Sequence, residues 1–319
     1  MKIVDPILQV EDLRIYYKSI FGDIESVDGV SFSVNPNEVF GIAGESGCGK
    51  STLVEGVLRL IYPPGYIKSG KILYENKDLL RLGDEELRRL RWKELSYIPQ
   101  GSMNSLNPVL RVEEQMVDSI TAHTDMPKEE ARAMSIARLK DVGLPVEVAR
   151  MYPHELSGGM KQRVIIAMAI LLKPSLVVAD EPVTALDVVV QKSVLQSIAN
   201  LRDNYGITVI FVAHDLAAHA EIVDRLVIMY AGKIAEIGSV YDVFEDALHP
   251  YSKLLVAAIP SIEKEAVEGI PGLAPSPLNW PLGCRFHPRC PYAMPICSKE
   301  EPPLKEVRQG RYAACHLLR

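Results

Sequence analysis

An α/β fold with a mostly parallel sheet is predicted by three observations. Short apolar segments of strand length alternate with helical ones along most of the chain, the pattern of strands covered by helices on both faces. A buried apolar segment, Glu38 to Ala43, runs straight into the stretch Gly44-Glu45-Ser46-Gly47-Cys48-Gly49-Lys50-Ser51-Thr52, which opens a helix. A second apolar segment, Leu176 to Ala179, ends on the acidic pair Asp180-Glu181.

The elements follow in chain order. Leu13 to Tyr17 and Val27 to Val34 read as strands of an antiparallel lead-in. Glu38 to Ala43 is the strand before the glycine loop, and Lys50 to Ile61 the helix after it. Lys71 to Tyr74 and Leu95 to Ile98 are further strands. The pattern then turns helical, with helices at Val112 to Ala122 and Lys128 to Val142. Residues from about 101 to 157 therefore read as a helical insertion with its own small core. Alternation resumes with helix Met160 to Leu172, strand Leu176 to Ala179, helix Val188 to Asn204, strand Thr208 to Ala213 and helix Leu216 to Ile222. Arg225 to Tyr230 and Lys233 to Ile237 read as a hairpin around Ala231-Gly232. After Pro260 prolines gather, periodicity fades and four cysteines appear. The expected domains are residues 1–260, holding the core and its insertion, and a small irregular cysteine-rich appendage over 261–319.

Composition narrows the class. The 319 residues suit one large domain or two. A hydrophobic content of 48% is ample for a core, and 24% charge is ordinary for a globular protein. The net charge of −6, with no Lys/Arg-rich block, argues against a nucleic-acid partner. The longest apolar stretch, Val164 to Leu172, is half the length a membrane span needs. Met1-Lys2-Ile3-Val4-Asp5 turns acidic too soon for a signal peptide. The expectation is a cytosolic chain that meets a membrane only through partner proteins.

The glycine loop matches G-x-x-x-x-G-K-[ST] in the context that pattern requires, after a strand and before a helix. Its glycines permit a tight anion-cradling turn. Lys50 can reach β- and γ-phosphates, and Ser51 can ligate Mg²⁺. Cys48 reads as a small filler. A carboxylate at Asp180 can reach the Mg²⁺ shell, and one at Glu181 can face an attacking water. A third stretch, Leu156-Ser157-Gly158-Gly159-Met160-Lys161-Gln162-Arg163, starts a helix. Ser157 is a good N-cap, and the two glycines bare the first turn's N–H groups to an anion, aided by the helix dipole.

This order of motifs resembles the ATP-binding-cassette (ABC) ATPases, and it spans residues 13 to 238. Leu156 to Arg163 looks like their signature motif. The resemblance implies that Asp180 organises Mg²⁺ and that Glu181 is the catalytic base. Gln100, in Tyr97-Ile98-Pro99-Gln100, resembles the glutamine that senses Mg²⁺ and water; by itself it is an ordinary turn residue. Asp187 resembles the dimer-contact loop and can equally cap the helix from Val188. His214, in Phe211-Val212-Ala213-His214-Asp215, resembles the switch histidine at the γ-phosphate, and its place at a strand's carboxyl end favours a ligand role. Tyr17 is the expected adenine stacker, with Tyr16 its rival, since neighbours on a strand face opposite ways. In such ATPases two subunits meet head to tail, with ATP between the phosphate loop of one and the Ser-Gly-Gly turn of the other.

Cys284, Cys290, Cys297 and Cys315 follow C-x5-C-x6-C-x17-C. Four clustered thiols in a cytosolic chain point to a metal. Chemistry alone leaves tetrahedral zinc and a [4Fe–4S] cluster open, although no C-x2-C knuckle occurs. Gly283 to Met294 resembles the C-terminal region of oligopeptide/dipeptide ABC importer ATPases. Ser102-Met103-Asn104-Ser105-Leu106-Asn107-Pro108 and His249-Pro250-Tyr251 agree with that branch. The resemblance implies a [4Fe–4S] cluster on the four cysteines. It also implies a second ATPase subunit, two transmembrane permeases and an extracytoplasmic solute-binding protein, with this chain peripheral on the cytoplasmic face of the plasma (inner) membrane. Related ATPases also serve oligosaccharide importers, including those for β-glucosides, so the solute stays open. No nucleotide motif lies beyond His214, so the appendage is expected to leave ATP binding alone.

Overall fold

The structure is a computed structural model that describes residues 5–184, 186–259 and 269–318. The chain forms two compact units: Met1–Asn35, Phe40–Arg81 and Ala213–Arg319 make the first, and Pro36–Val39 with Leu82–Val212 the second.

In the first unit, β1 (Leu8–Ser19) pairs antiparallel with both β2 (Gly22–Val34) and β4 (Gly65–Tyr74), and β5 (Lys77–Asp78) closes the edge. Leu8, Val10, Leu13 and Ile15 of β1 are buried. The register shifts around Asp12, which holds a positive φ of 43°. That irregularity breaks the period-2 alternation, and sequence pattern alone starts the strand only at Leu13. β3 (Val39–Ala43) is buried at every position and runs parallel to β9 (Arg225–Tyr230). Such a strand, covered on both faces, reads as an apolar run. β9 turns into β10 (Lys233–Ser239) through Ala231 and Gly232, both at positive φ, as a two-residue hairpin requires. α1 (Lys50–Val57) stops short of the expected Ile61, since Arg59 takes a φ of 53°. Helices α7 (Leu216–Ile222), α8 (Val240–Asp246) and α9 (Pro250–Ala257) complete this part.

The tail is less irregular than expected. β11 (Lys305–Arg308) and β12 (Arg311–Ala313) form a hairpin, and β12 joins β10 through Glu236↔Ala313 and Ile237↔Tyr312. The expected boundary between 260 and 261 lies outside the described residues.

The second unit carries α2 (Asp84–Leu90) and three parallel strands, β6 (Leu95–Ile98), β7 (Leu176–Asp180) and β8 (Thr208–Val212), with β7 in the middle. α6 (Val188–Tyr205) crosses from β7 to β8, capped by Asp187 at its start and by Gly206 in the left-handed conformation at its end. The insertion is α3 (Val112–His123), α4 (Lys128–Asp141) and α5 (Gly158–Ala169). Its core is Val112, Met116 and Ile120 of α3 with Ala131 and Leu139 of α4, all fully buried. These faces recur at helical spacing, which made the insertion legible. Among the described residues no helix is long and apolar enough to cross a membrane.

Candidate active site

The phosphate loop lies in the first unit, between β3 and α1. Its shape depends on two glycines. A Cβ on Gly44 would fall 2.2 Å from the Met229 carbonyl oxygen, and one on Gly49 2.3 Å from that of Ser26. Gly44 holds φ 151° and Gly49 φ 102°, conformations that side chains disfavour. Gly47, at φ 77°, faces open space. α1 starts from the Gly49 cap without any side-chain capping bond, so its first N–H groups point into the loop. Such a start suits an anion. Lys50 is 5% exposed, and its ammonium donates to the carbonyls of Gly44 (2.7 Å) and Glu45 (3.1 Å), which hold it inside the loop. Cys48 is buried and its Sγ lies 3.9 Å from that ammonium, in keeping with a filler. Ser46 and Gly47 are exposed at the loop's rim, and Ser51 is half-buried on the first turn.

The two tyrosines of β1 part as strand geometry demands. Tyr17 is half-buried, with its hydroxyl 3.4 Å from Thr52 Oγ1 at the start of α1. Tyr16 is 3% exposed and donates to Asp28, while Lys68 sits over its ring. Tyr17 is thus the one on the side of the phosphate loop. His214, in the same unit, is exposed two residues past the end of β8.

The second unit gathers the acidic groups. Asp180 closes β7, is 1% exposed, and accepts from the Tyr97 hydroxyl at 3.4 Å. Glu181 follows at φ 48°, a left-handed conformation that costs a non-glycine residue on the order of 1 kcal/mol. Its N–H donates to the Val212 carbonyl at 2.8 Å, which anchors the turn. Gln100 Nε2 donates to Glu181 Oε2 at 2.9 Å, and the Thr184 hydroxyl donates to the same oxygen at 3.1 Å. The structure therefore brings Gln100 and Glu181 together, 81 residues apart in sequence. Thr184 was missed by sequence reasoning, and only its place in the stretch before Asp187 hinted at it.

Ser157 caps α5, accepting from the Met160 N–H at 3.3 Å. Ser157 and Gly158 are exposed, whereas Gly159 is buried so tightly that a Cβ would meet Val190 at 2.2 Å. Asp187 caps α6 through the Val190 N–H at 3.0 Å and stands exposed beside Val188 and Val189. Ala185, between Thr184 and Asp187, lies outside the described residues.

The four cysteines lie in the tail, with Cys290, Cys297 and Cys315 near Cys284. Cys297 is buried and the other three are partly so. Burial, and then the neighbouring thiols Cys297, Cys315 and Cys290, pushes the Cys284 thiol up to about 11. Cys290 and Cys315 are likewise raised by burial and by nearby cysteines, Cys297 in both cases. Among the described residues, no three His, Cys, Asp or Glu side chains gather as one metal ion would need. His287 and His316 bond instead to the carbonyls of Cys284 and Glu300.

The tail also reaches the phosphate loop. Arg289 forms a two-pronged ion pair with Glu45, at 2.7 and 3.0 Å. Trp280 donates to the Glu25 carbonyl at 2.9 Å and lines a small cleft with Ser46, Gly47 and Pro277. Arg289 could be picked out beforehand only as the residue before Cys290.

Residues 27–184 match the ABC transporter family, and residues 235–297 the C-terminal region of oligopeptide/dipeptide transporters. The dipeptide transport ATP-binding protein DppD of Caldanaerobacter subterraneus is 42% identical over 98% of this chain and 97% of its own length. The oligopeptide transport ATP-binding protein OppD of Escherichia coli is 43% identical over 98% of this chain and 93% of its own length. Among solved structures, the dimeric bacterial ABC transporter cassette MJ0796 superposes with a TM-score of 0.66 at 27% identity, covering 73% of this chain and 98% of that one. The same cassette is known in a post-hydrolysis state bound to ADP and Pi, with the same TM-score.

Proposed function

As the chain belongs to the ABC transporter ATPases, in their oligopeptide/dipeptide importer branch, we propose how its residues divide the work of binding and hydrolysing ATP for peptide uptake. The chain is the ATP-binding subunit of such an importer. The single observation that carries the assignment of roles is the pairing of Gln100 with Glu181 at the end of β7.

In this reading the N–H groups of residues Gly44 to Thr52 and the Lys50 ammonium receive the phosphates, and Tyr17 stacks on adenine. Ser51, Asp180 and Gln100 would hold Mg²⁺, which screens phosphate charge when bound. Glu181 orients the attacking water and takes its proton as oxygen bonds to the γ-phosphorus; the bond to the β-phosphate oxygen breaks, leaving ADP and phosphate. Gln100 and Thr184 hold the Glu181 carboxylate in place. His214 contacts the γ-phosphate. Ser157, Gly158 and Gly159 supply the helix start that closes on a partner's nucleotide, with Asp187 at the same contact. The partners are a second ATPase subunit, like or unlike this one, two permeases and a solute-binding protein. The chain sits peripherally at the inner face of the membrane, and the insertion over 101–157 meets the permeases.

For the tail we propose a [4Fe–4S] cluster on Cys284, Cys290, Cys297 and Cys315. Cys290, Cys297 and Cys315 lie close enough to Cys284 to help raise its pKa, yet among the described residues no three gather as a single ion needs. The reading rests on the resemblance of Gly283 to Met294 to the oligopeptide/dipeptide branch and on four cysteines in one short tail. Anaerobically purified protein should be brown, with about four irons per chain; stoichiometric zinc without iron would reject the cluster. Transport is tested in proteoliposomes holding the chain with its permeases and binding protein. ATP-driven uptake of labelled peptide is expected, and uptake of β-glucosides alone would contradict the peptide assignment.

A further inference from the structure

Glu45 is the one acidic residue of the phosphate loop. A carboxylate there opposes the phosphates that the loop receives, unless its charge is cancelled. Arg289 does cancel it. The guanidinium meets both carboxylate oxygens, fork on fork, with side-chain exposures of 6% for Arg289 and 24% for Glu45. Charge-assisted pairs of this kind fix orientation as well as charge.

Each partner is locked in turn. Arg289 Nε donates to the Pro271 carbonyl at 2.8 Å, and Nη1 donates to the Tyr230 hydroxyl at 3.2 Å. On the main chain, the Glu45 N–H donates to the Tyr251 hydroxyl at 2.9 Å, and the Glu45 carbonyl accepts from Lys50. Tyr251 is fully buried and packs on Phe286, with ring centroids 5.3 Å apart. Phe286 and Arg289 both lie in the tail, between Cys284 and Cys290. The short helix His287–Arg289 is tied to Cys284 by the His287 N–H, which donates to its carbonyl at 2.9 Å. Whatever orders the cysteines therefore orders the residue that faces Glu45.

We propose that Arg289 is a positioning residue of the ATP site, acting through Glu45, so that the order of the cysteine-bearing tail sets the affinity of the phosphate loop for nucleotide. This rests on the reading of the chain as an ATPase. Loss of Arg289 leaves Glu45 charged and free to swing beside the phosphates.

The test is equilibrium binding of Mg·ATP to the anaerobically prepared full chain and to Arg289→Ala, Glu45→Gln and the double variant. Arg289→Ala should bind ATP roughly tenfold more weakly, a loss of about 1.4 kcal/mol. The loss should shrink as salt rises, because the freed carboxylate is screened. Adding Glu45→Gln to Arg289→Ala should restore most of the affinity, which a merely structural arginine would not allow. Wild-type affinity in Arg289→Ala overturns the proposal, and so does a double variant as weak as Arg289→Ala. A wild-type chain that fails to bind ATP overturns the ATPase reading as well.

Discussion

Glu181 and Gly44 show what single residues contribute. Glu181 is held in a left-handed turn by backbone bonds to Val212 and Thr184 and by the side chains of Gln100 and Thr184. Thr184→Val should keep the fold and ATP affinity but lower hydrolysis, by roughly tenfold, because a donor on the carboxylate is gone. Phosphate release measured at saturating ATP checks this, and an unchanged rate removes Thr184 from the account. Gly44→Ala should be harsher. Its new Cβ would press on the Met229 carbonyl in a strained backbone, at a cost of about 1–3 kcal/mol. A lowered melting temperature together with lost ATP binding is expected; a variant that melts and binds as wild type would contradict the loop geometry. Most of these residues were legible because the motif is contiguous or ends a strand. Arg289 was not: its partner lies 244 positions away, and no local pattern encodes an ion pair at that distance.

At the scale of elements, the strands and helices that bury one face were readable from period alone, as in α3, α4 and α7. β11 and β12 were not. They are short and largely exposed at β11, and their hold on β10 is two residue pairs long. The tail also holds the four cysteines. Burial, and then the neighbouring cysteines, pushes the Cys284 thiol up to about 11, so at neutral pH it carries its proton. Metal uptake must expel such protons, so reconstitution with iron and sulfide should improve as pH rises from 7 to 9. Iron content after reconstitution at each pH tests this, and uptake that fell with pH would contradict it. The insertion makes a different prediction. Val109, 75% exposed at its entry, should when replaced by cysteine cross-link to a permease in the assembled complex. Cross-links only from the tail would overturn the proposed docking face.

The phosphate loop, Tyr17 and His214 lie in the first unit, and Asp180, Glu181, Gln100 and the Ser157 turn in the second. The likeness to peptide-transport relatives runs over nearly the whole chain, and residues 235–297 match the C-terminal region of oligopeptide/dipeptide transporters. The central claim is that Glu181 performs hydrolysis while other residues bind the nucleotide. Glu181→Gln in the assembled transporter tests it most directly, by ATP binding and phosphate release on the same sample. Binding within about twofold of wild type, with turnover reduced at least about a hundredfold, is the predicted result. Wild-type turnover in that variant would contradict the account.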